Sequence, residues 1–458
     1  MIRKNKKKFR SRRFTIRNEY FGGLIYDSLS GEISIIDSGK FNFLEYLCHE
    51  GSIDIKSINE SNEKNVEDFV KMGLIKKNAY KICISNCRLV KSKSIKSKNC
   101  LSAPLRVYDT FTRKCNLNCH HCYARSGNIN FSEKKRTINQ TRKIIKKFFD
   151  AGATEWRITG GEPTVDKYLF ETIKYANGLG MVVSLNSNGC WNNEMFKKII
   201  NSGIRDLVIS LEGSEKINDK RRTKGAYNLV AENLKKLHEY NENSKNKIPV
   251  VINVAIGSDN IRETDFLVEV AMEYKCDINF IPLKPSGRAI DNDTNKLILT
   301  ANQYKKFAKK IQDLRSKKEV INSGIKVLLK HKDLFNYNLK DKSQNPFPFD
   351  NSECGALIRD ISILPDGRVV ACPFLIDYPE FIGPNAIGMS VDEIWHHSMA
   401  EHYRNAKKID CLKCSFYKKE CRGKCRSTVI LTGGKIKGGK LLGGDPFCFA
   451  HLMREKIH

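Results

Sequence analysis

The sequence predicts an α/β protein: a parallel sheet covered by helices, preceded by a small α+β unit and followed by a cysteine-rich module. Three observations carry this. Between residues 105 and 289, short β-rich runs alternate with Lys-rich amphipathic stretches, the pattern of parallel strands joined by right-handed crossovers. Residues 14–82 compress a hairpin pattern and two helical periods into a separate unit. Seven of the sixteen cysteines fall between 354 and 448, a density that marks a module of its own.

With 458 residues the chain can bury a large core and divide into two or three domains. Its 80 Lys and Arg against 51 Asp and Glu give a formal charge of +29, which favours anionic partners without choosing among nucleic acid, acidic peptide and lipid. Residues 1–13 hold eight basic side chains and no acidic one, and read as a solvated basic tail. No apolar segment follows it and no run approaches the roughly 20 residues that cross a bilayer. The expected location is cytoplasmic. Sixteen cysteines in such a chain argue for metal or redox chemistry rather than disulfides.

In the first unit, strands are expected at 15–17, 22–27 and 32–36, with a turn at Ser28-Leu29-Ser30-Gly31. Ser38 is placed to cap a helix carrying Phe41, Phe43, Leu44 and Leu47 on one face. A second helix at 65–72 leads through Gly73 into a strand at Leu74-Ile75. Hairpin, helix, helix and wing suggest a winged-helix module over 14–82. It resembles the peptide-recognition element of the pyrroloquinoline quinone peptide chaperone, which implies a precursor's leader added as a strand to a sheet edge. A generic winged helix touching nucleic acid is the plainer alternative. Residues 83–103 read as a Lys/Ser-rich linker, with Cys83, Cys87 and Cys100 as ordinary thiols.

Strands of the central sheet are expected at 105–110, 155–159, 182–186, 207–211, 250–256 and 278–283, with helices such as 140–149 and 227–240 between them. Directly after the first strand stands Cys115-x3-Cys119-x2-Cys122-Tyr123. Four-cysteine zinc sites use paired C-x2-C knuckles, so this run fits zinc poorly. Three thiolates can instead hold three irons of a [4Fe–4S] cube and leave the fourth iron without a protein ligand. Gly160-Gly161-Glu162-Pro163 follows the second strand, Asn186-Ser187-Asn188-Gly189 the third, and Ser210-Leu211-Glu212-Gly213 the fourth. All stand at strand C-terminal ends, where barrels of this class place their chemistry.

These motifs resemble the signature of the radical S-adenosylmethionine (radical SAM) superfamily. The resemblance implies a partial, TIM-like (β/α)6 barrel over 104–290, a cube on Cys115, Cys119 and Cys122, and SAM chelating its open iron. It implies SAM contacts from Tyr123, Gly160, Gly161, Glu162 (at the amino group), Asn188, Ser210, Glu212 and Arg222 (clamping the carboxylate). Arg221 reads as a solvated helix charge. Pro285-Ser286-Gly287-Arg288-Ala289 resembles the family's turn near adenine, with backbone contacts. A reduced cluster then cleaves SAM, and the 5′-deoxyadenosyl radical takes a hydrogen atom from an unactivated carbon.

A helical connector is expected at 291–345. Beyond it, over 346–458, Cys354-x12-Gly367-x4-Cys372, Cys411-x2-Cys414-x6-Cys421-x3-Cys425 and Cys448 follow in order, with Leu364-Pro365-Asp366-Gly367-Arg368-Val369 as a β-hairpin. The pattern resembles the SPASM domain of peptide and sulfatase maturases. That implies two auxiliary [4Fe–4S] clusters: the first on Cys354, Cys372 and Cys425, the second on Cys411, Cys414, Cys421 and Cys448. Sulfatase maturases carry an eighth cysteine where Asp360 stands here, so the first auxiliary cluster either has an open iron or takes Asp360 or another ligand.

The layout resembles the subtilosin-type maturases of ribosomally made peptides, and thioether formation on a precursor peptide is the leading expectation. An electron donor of the reductase or flavodoxin/ferredoxin kind is implied. Carbon–carbon cross-linking, backbone excision and epimerisation share the architecture. Epimerisation needs a hydrogen-donating thiol, for which Cys190 is the candidate, although Cys190 and Cys276 read more simply as small buried side chains. A radical SAM enzyme acting on tRNA and a non-catalytic recognition protein are the other classes.

Overall fold

The computed structural model describes residues 13–84, 86–92, 99–127, 133–291, 294–329, 354–414 and 423–448. The basic tail before residue 13 and Cys421 lie outside them.

The first unit runs β1 (Phe14–Glu19), β2 (Gly22–Asp27), β3 (Ile33–Ile36), α1 (Ser38–Glu50), β4 (Ser52–Asp54), α2 (Glu60–Lys71), β5 (Ile75–Lys77), β6 (Lys81–Ile84) and β7 (Cys87–Val90). The strands make two sheets, β3-β2-β1-β7 and β4-β6-β5. Helix α1 buries Phe41, Phe43, Leu44 and Leu47, as its periodicity requires, but its cap is Asp37, whose carboxylate accepts from the Lys40 N–H. Ser38 is the first helical residue instead. Helix α2 starts earlier than the apolar pattern indicates because Asn59 caps it. The stretch expected as linker begins inside β6 and contains β7, which pairs in parallel with β1 from Phe14↔Cys87 to Arg17↔Val90.

A buried ion pair, Arg17 with Glu19 at 2.7 Å, bolts this unit to the central region. Arg17 also donates to the Ala103 carbonyl at 2.9 Å, and Glu19 accepts from the Ser102 N–H at 2.7 Å. With both side chains hydrogen-bonded across the junction, the desolvation of the pair is compensated.

The central region runs β8 (Arg106–Thr110), α3 (Ile138–Asp150), β9 (Glu155–Thr159), α4 (Leu169–Leu179), β10 (Val182–Ser187), α5 (Asn193–Ile200), β11 (Asp206–Ser210), α6 (Glu215–Arg221), α7 (Ala226–Asn243), β12 (Val250–Ile256), α8 (Thr264–Glu273), β13 (Asp277–Pro282) and α9 (Arg288–Asp291). The connector supplies α10 (Ala301–Ser316), α11 (Lys318–Ser323) and β14 (Val327–Leu329). The cysteine-rich module gives β15 (Asp360–Ile363), β16 (Arg368–Val370), β17 (Ile382–Asn385), α12 (Val391–Trp395), α13 (Ser398–Arg404), α14 (Ile409–Leu412), α15 (Arg426–Leu431), β18 (Lys435–Lys437) and β19 (Lys440–Leu442).

Ten strands form one sheet in the order β14-β13-β12-β11-β10-β9-β8-β15-β16-β17. The six expected strands are all present and pair in parallel in chain order. Helices cover the sheet because their apolar stripes match it. In α3, Thr141, Ile144, Ile145 and Phe148 recur on one face and are buried, and each large apolar side chain is worth about 1.5–3 kcal/mol.

The sheet also continues past both edges of the six-strand set. The connector adds β14, and the cysteine-rich module adds β15 in parallel beside β8. Arg136 secures this second junction: it pairs with Asp109, both fully buried, and donates to the Leu364 carbonyl at 2.8 Å. The hairpin that carries the first C-terminal cysteines is therefore held in register with the strand that carries the three-thiol loop. Among the described residues no helix is long and apolar enough to cross a membrane.

Candidate active site

The loop after β8 is held from several sides. Arg113 donates to the Ala124 carbonyl at 2.8 Å, Arg288 Nε to the Cys119 carbonyl at 2.7 Å, and the His120 N–H to the Arg221 carbonyl at 2.9 Å. At Gly287, φ is +59° and a Cβ would stand 2.4 Å or less from the Cys122 and Tyr123 carbonyl oxygens, so only glycine fits there. The Pro285–Ala289 turn thus backs the thiol loop. The Leu117 N–H points at Cys115 Sγ and the Ser126 N–H at Cys122 Sγ, both at 3.4 Å.

Cys115, Cys119 and Cys122 line one cavity of about 230 Å³. Among the described residues no three His, Cys, Asp or Glu side chains converge as a single ion would need; the thiols ring a space instead. Burial pushes the Cys115 thiol up to about 12 and raises Cys119, which Arg222 partly offsets. Thiolates at such positions need a cationic centre among them, and iron supplies one.

Tyr123, Gly160, Gly161, Asn188, Ser210, Glu212 and Arg222 line the same cavity, while Glu162 does not. Glu162 is fully buried behind the wall. Its carboxylate accepts from the Thr164 N–H, the Thr164 and Ser187 hydroxyls and, at 2.7 Å, the Asn188 N–H. It ties two rim loops together.

The two glycines before it also have a structural cause. A Cβ on Gly160 would stand 2.3 Å from the Thr112 carbonyl oxygen, and one on Gly161 2.2 Å from that of Lys114. Backbone bonds from Gly161 to Thr112 and from Glu162 to Lys114 close this contact. Gly161→Ala is expected to push the loop off the thiol-bearing segment at a cost of about 3 kcal/mol. Lower bound iron after anaerobic reconstitution, with a lower unfolding midpoint, is the measurement.

Glu212 is fully buried and pairs with Arg222, with His121 Nε2 at 3.2 Å and with Arg221 at 3.5 Å. Arg221 is only 2% exposed and pairs with Asp259 as well; it is a buried network member, not a solvated helix charge. Arg222 sits at the cavity with its Nε still unpartnered, as are His121 Nδ1, Ser126 Oγ and Ser286 Oγ. Four buried polar atoms without partners, facing one space floored by Val208, Val254 and Ile281, suit a ligand with many hydrogen-bonding atoms and an apolar body. SAM is such a ligand. Cys190 does not line the cavity; its Sγ packs against the Asn188 and Ala226 carbonyls.

A second cavity of about 310 Å³ holds Cys354, Cys372 and Cys425 with Asp360 on its wall. Cys411 and Cys414 form a turn, the Cys414 N–H donating to the Cys411 carbonyl at 3.0 Å. Asp445 joins the two groups of thiols: its carboxylate accepts from the Cys425 N–H and its carbonyl from that of Cys448. Lys284 and Phe374 belong to the walls of both cavities.

Residues 110–264 match the radical SAM superfamily, and residues 354–426 match the SPASM iron–sulfur cluster-binding domain. The chain is a radical SAM enzyme with a SPASM domain. Such a protein uses SAM and iron–sulfur clusters, and the two cavities hold the residues that could bind them.

Similar proteins fit this assignment. Mycofactocin maturase MftC of Mycolicibacterium smegmatis is 27% identical over 355 residues, covering 76% of this chain and 83% of that one. Sporulation killing factor maturation protein SkfB of Bacillus subtilis is 31% identical over 168 residues, covering 36% and 39%. The fold is shared with Streptococcus suis SuiB bound to S-adenosylmethionine, with a TM-score of 0.67 at 16% identity over 96% of this chain and 99% of that one.

Sequence motifs missed His121 and Ser126 in the lining of the first cavity, and Lys284 in the wall shared by both. The position of His121 inside the thiol run is the one signal that marked it in advance.

Proposed function

We propose that this radical SAM enzyme matures a ribosomally synthesised precursor peptide by joining a cysteine sulfur to a carbon in a thioether. The carrying observation is the pair of cavities that share Lys284 and Phe374, so that a substrate carbon at the first lies next to a sulfur-rich site at the second. The relatives named as maturases support the peptide reading, as does the shared fold of SuiB bound to its precursor peptide SuiA, with a TM-score of 0.68.

In this reading three [4Fe–4S] clusters are bound: on Cys115, Cys119 and Cys122, on Cys354, Cys372 and Cys425, and on Cys411, Cys414, Cys421 and Cys448. SAM bound with the first supplies a 5′-deoxyadenosyl radical. His121, Ser126 and Ser286 orient it through their free polar atoms. Glu212 fixes Arg222 beside it, and the apolar floor excludes water. The 14–82 unit acts as a winged-helix recognition element that adds the leader along an edge strand such as β3. Electrons come from a flavodoxin- or ferredoxin-type donor. Among the described residues no fourth thiol lines the first cavity, which disfavours epimerisation through Cys190.

The test is anaerobic incubation of reconstituted enzyme, SAM and reductant with a Cys-containing precursor. A peptide lighter by two hydrogens that no longer reacts with iodoacetamide is expected. A carbon–carbon link would leave the thiol reactive, and an unchanged mass would refute both.

A further inference from the structure

Lys284 stands just past β13, 4% exposed, in the wall between the two cavities. Its Nζ lies 3.3 Å from Cys425 Sγ, 3.1 Å from Ser427 Oγ and 4.5 Å from the centre of the Phe374 ring. Among the described residues no carboxylate pairs with it. A buried ammonium without a counter-charge is strongly disfavoured, so the anion it answers to is sulfur. Every sulfur facing it in the second cavity belongs to the Cys354, Cys372 and Cys425 set.

We propose that Lys284 is a positioning residue that makes the iron–sulfur group on Cys354, Cys372 and Cys425 easier to reduce, so that this group accepts an electron from the substrate radical. The inference rests on the maturase reading above. It completes the balance of that reaction. The 5′-deoxyadenosyl radical removes one hydrogen atom from the substrate carbon. The peptide thiol then loses its proton, the sulfur–carbon bond forms, and one electron leaves for the neighbouring group. A fixed positive charge beside that group favours its reduced form, because added negative charge is stabilised most where water is excluded. The same charge lies in the wall shared by the two cavities, beside the acceptor.

The experiment is a redox titration followed by electron paramagnetic resonance, on the full chain reconstituted anaerobically and without peptide. Wild type, Lys284→Met and Lys284→Arg are compared. The signal that changes on adding SAM identifies the SAM-binding cluster. Of the remaining signals, one is expected to move to a more negative potential in Lys284→Met and to stay near the wild-type value in Lys284→Arg. With peptide added, Lys284→Met should form less cross-link per 5′-deoxyadenosine released. An unmoved potential in an iron-replete Lys284→Met protein overturns the proposal, as does an equal shift in Lys284→Arg. If Lys284→Met loses iron, an iron-replete Lys284→Arg with near-native potential supports the charge, and iron loss in both overturns it. The potential is read without substrate, so a failed maturase reading shows separately as an unchanged peptide mass.

Discussion

Replacing Cys119 with alanine is expected to abolish formation of 5′-deoxyadenosine from SAM and to remove about four irons per chain, the content of one cube. Cys119 is the middle thiol of the three, its carbonyl is pinned by Arg288, and it lines the same cavity as Arg222. Losing it leaves two thiols, too few to hold three irons, and a cube that is not assembled cannot reduce a sulfonium. The fold should survive, since Cys119 is only partly buried at the edge of the apolar core and the change removes a single sulfur there. Iron analysis, near-native circular dichroism and chromatographic quantification of 5′-deoxyadenosine decide the matter together. Residual cleavage above about a tenth of wild type would show that the thiols do not act as a set. Cys190→Ala, a buried thiol that does not line the cavity, should retain cleavage.

Much of this architecture was legible because the information is local. Strand β12 is read off Val250–Ile256 as a mostly β-branched apolar run broken only by Asn253, and its alternate residues Val250, Ile252, Val254 and Ile256 are buried. Helix α1 and its four buried side chains follow from spacing alone. The thiol loop is legible because ligand chemistry imposes its own spacing.

What stayed hidden depends on partners far along the chain. Cys87-Arg88-Leu89-Val90 is too short to stand out of a Lys/Ser-rich stretch, and it becomes β7 only because β1, at the start of the chain's first unit, offers an edge. Arg221 reads as a solvated charge ending a helix, and only the family resemblance sets Arg222 apart from it; Glu212, Asp259 and the Ala255 carbonyl turn both inward. Glu162 has the family's position, but its bonds to Thr164 and to the loop after β10 are not legible in the tetrapeptide. Lys284 is the extreme case. Nothing near it marks a buried cation, and its partner Cys425 is supplied by the other domain 141 residues on.

The same network supports the second large expectation: Glu212→Gln should destabilise the enzyme by about 3–5 kcal/mol, the usual penalty for stripping one partner from a buried ion pair. Arg221 keeps Asp259, whereas Arg222 has no other carboxylate within ion-pair reach among the described residues. Glu212 accepts from Arg222, His121, Arg221 and, at 2.9 Å, the Ala255 N–H, and these bonds hold the cavity wall. Burial alone would raise this carboxyl, but Arg222, His121 and Arg221 hold it well below its ordinary value of 4.5. A depressed carboxyl contributes stability that is present above about pH 4.5 and is lost as pH falls toward the folded value. The gap between wild type and Glu212→Gln should therefore stay level from about pH 5 to 8 and narrow only in acid. Adding Arg222→Met to Glu212→Gln should recover part of the loss, because the double change removes the stranded cation along with its partner. Denaturant midpoints of the three proteins, read anaerobically at fixed SAM concentration, measure this. A Glu212→Gln midpoint equal to that of wild type would mean that Arg222 finds its counter-charge in the ligand rather than in Glu212, and the wall-holding role would have to be abandoned.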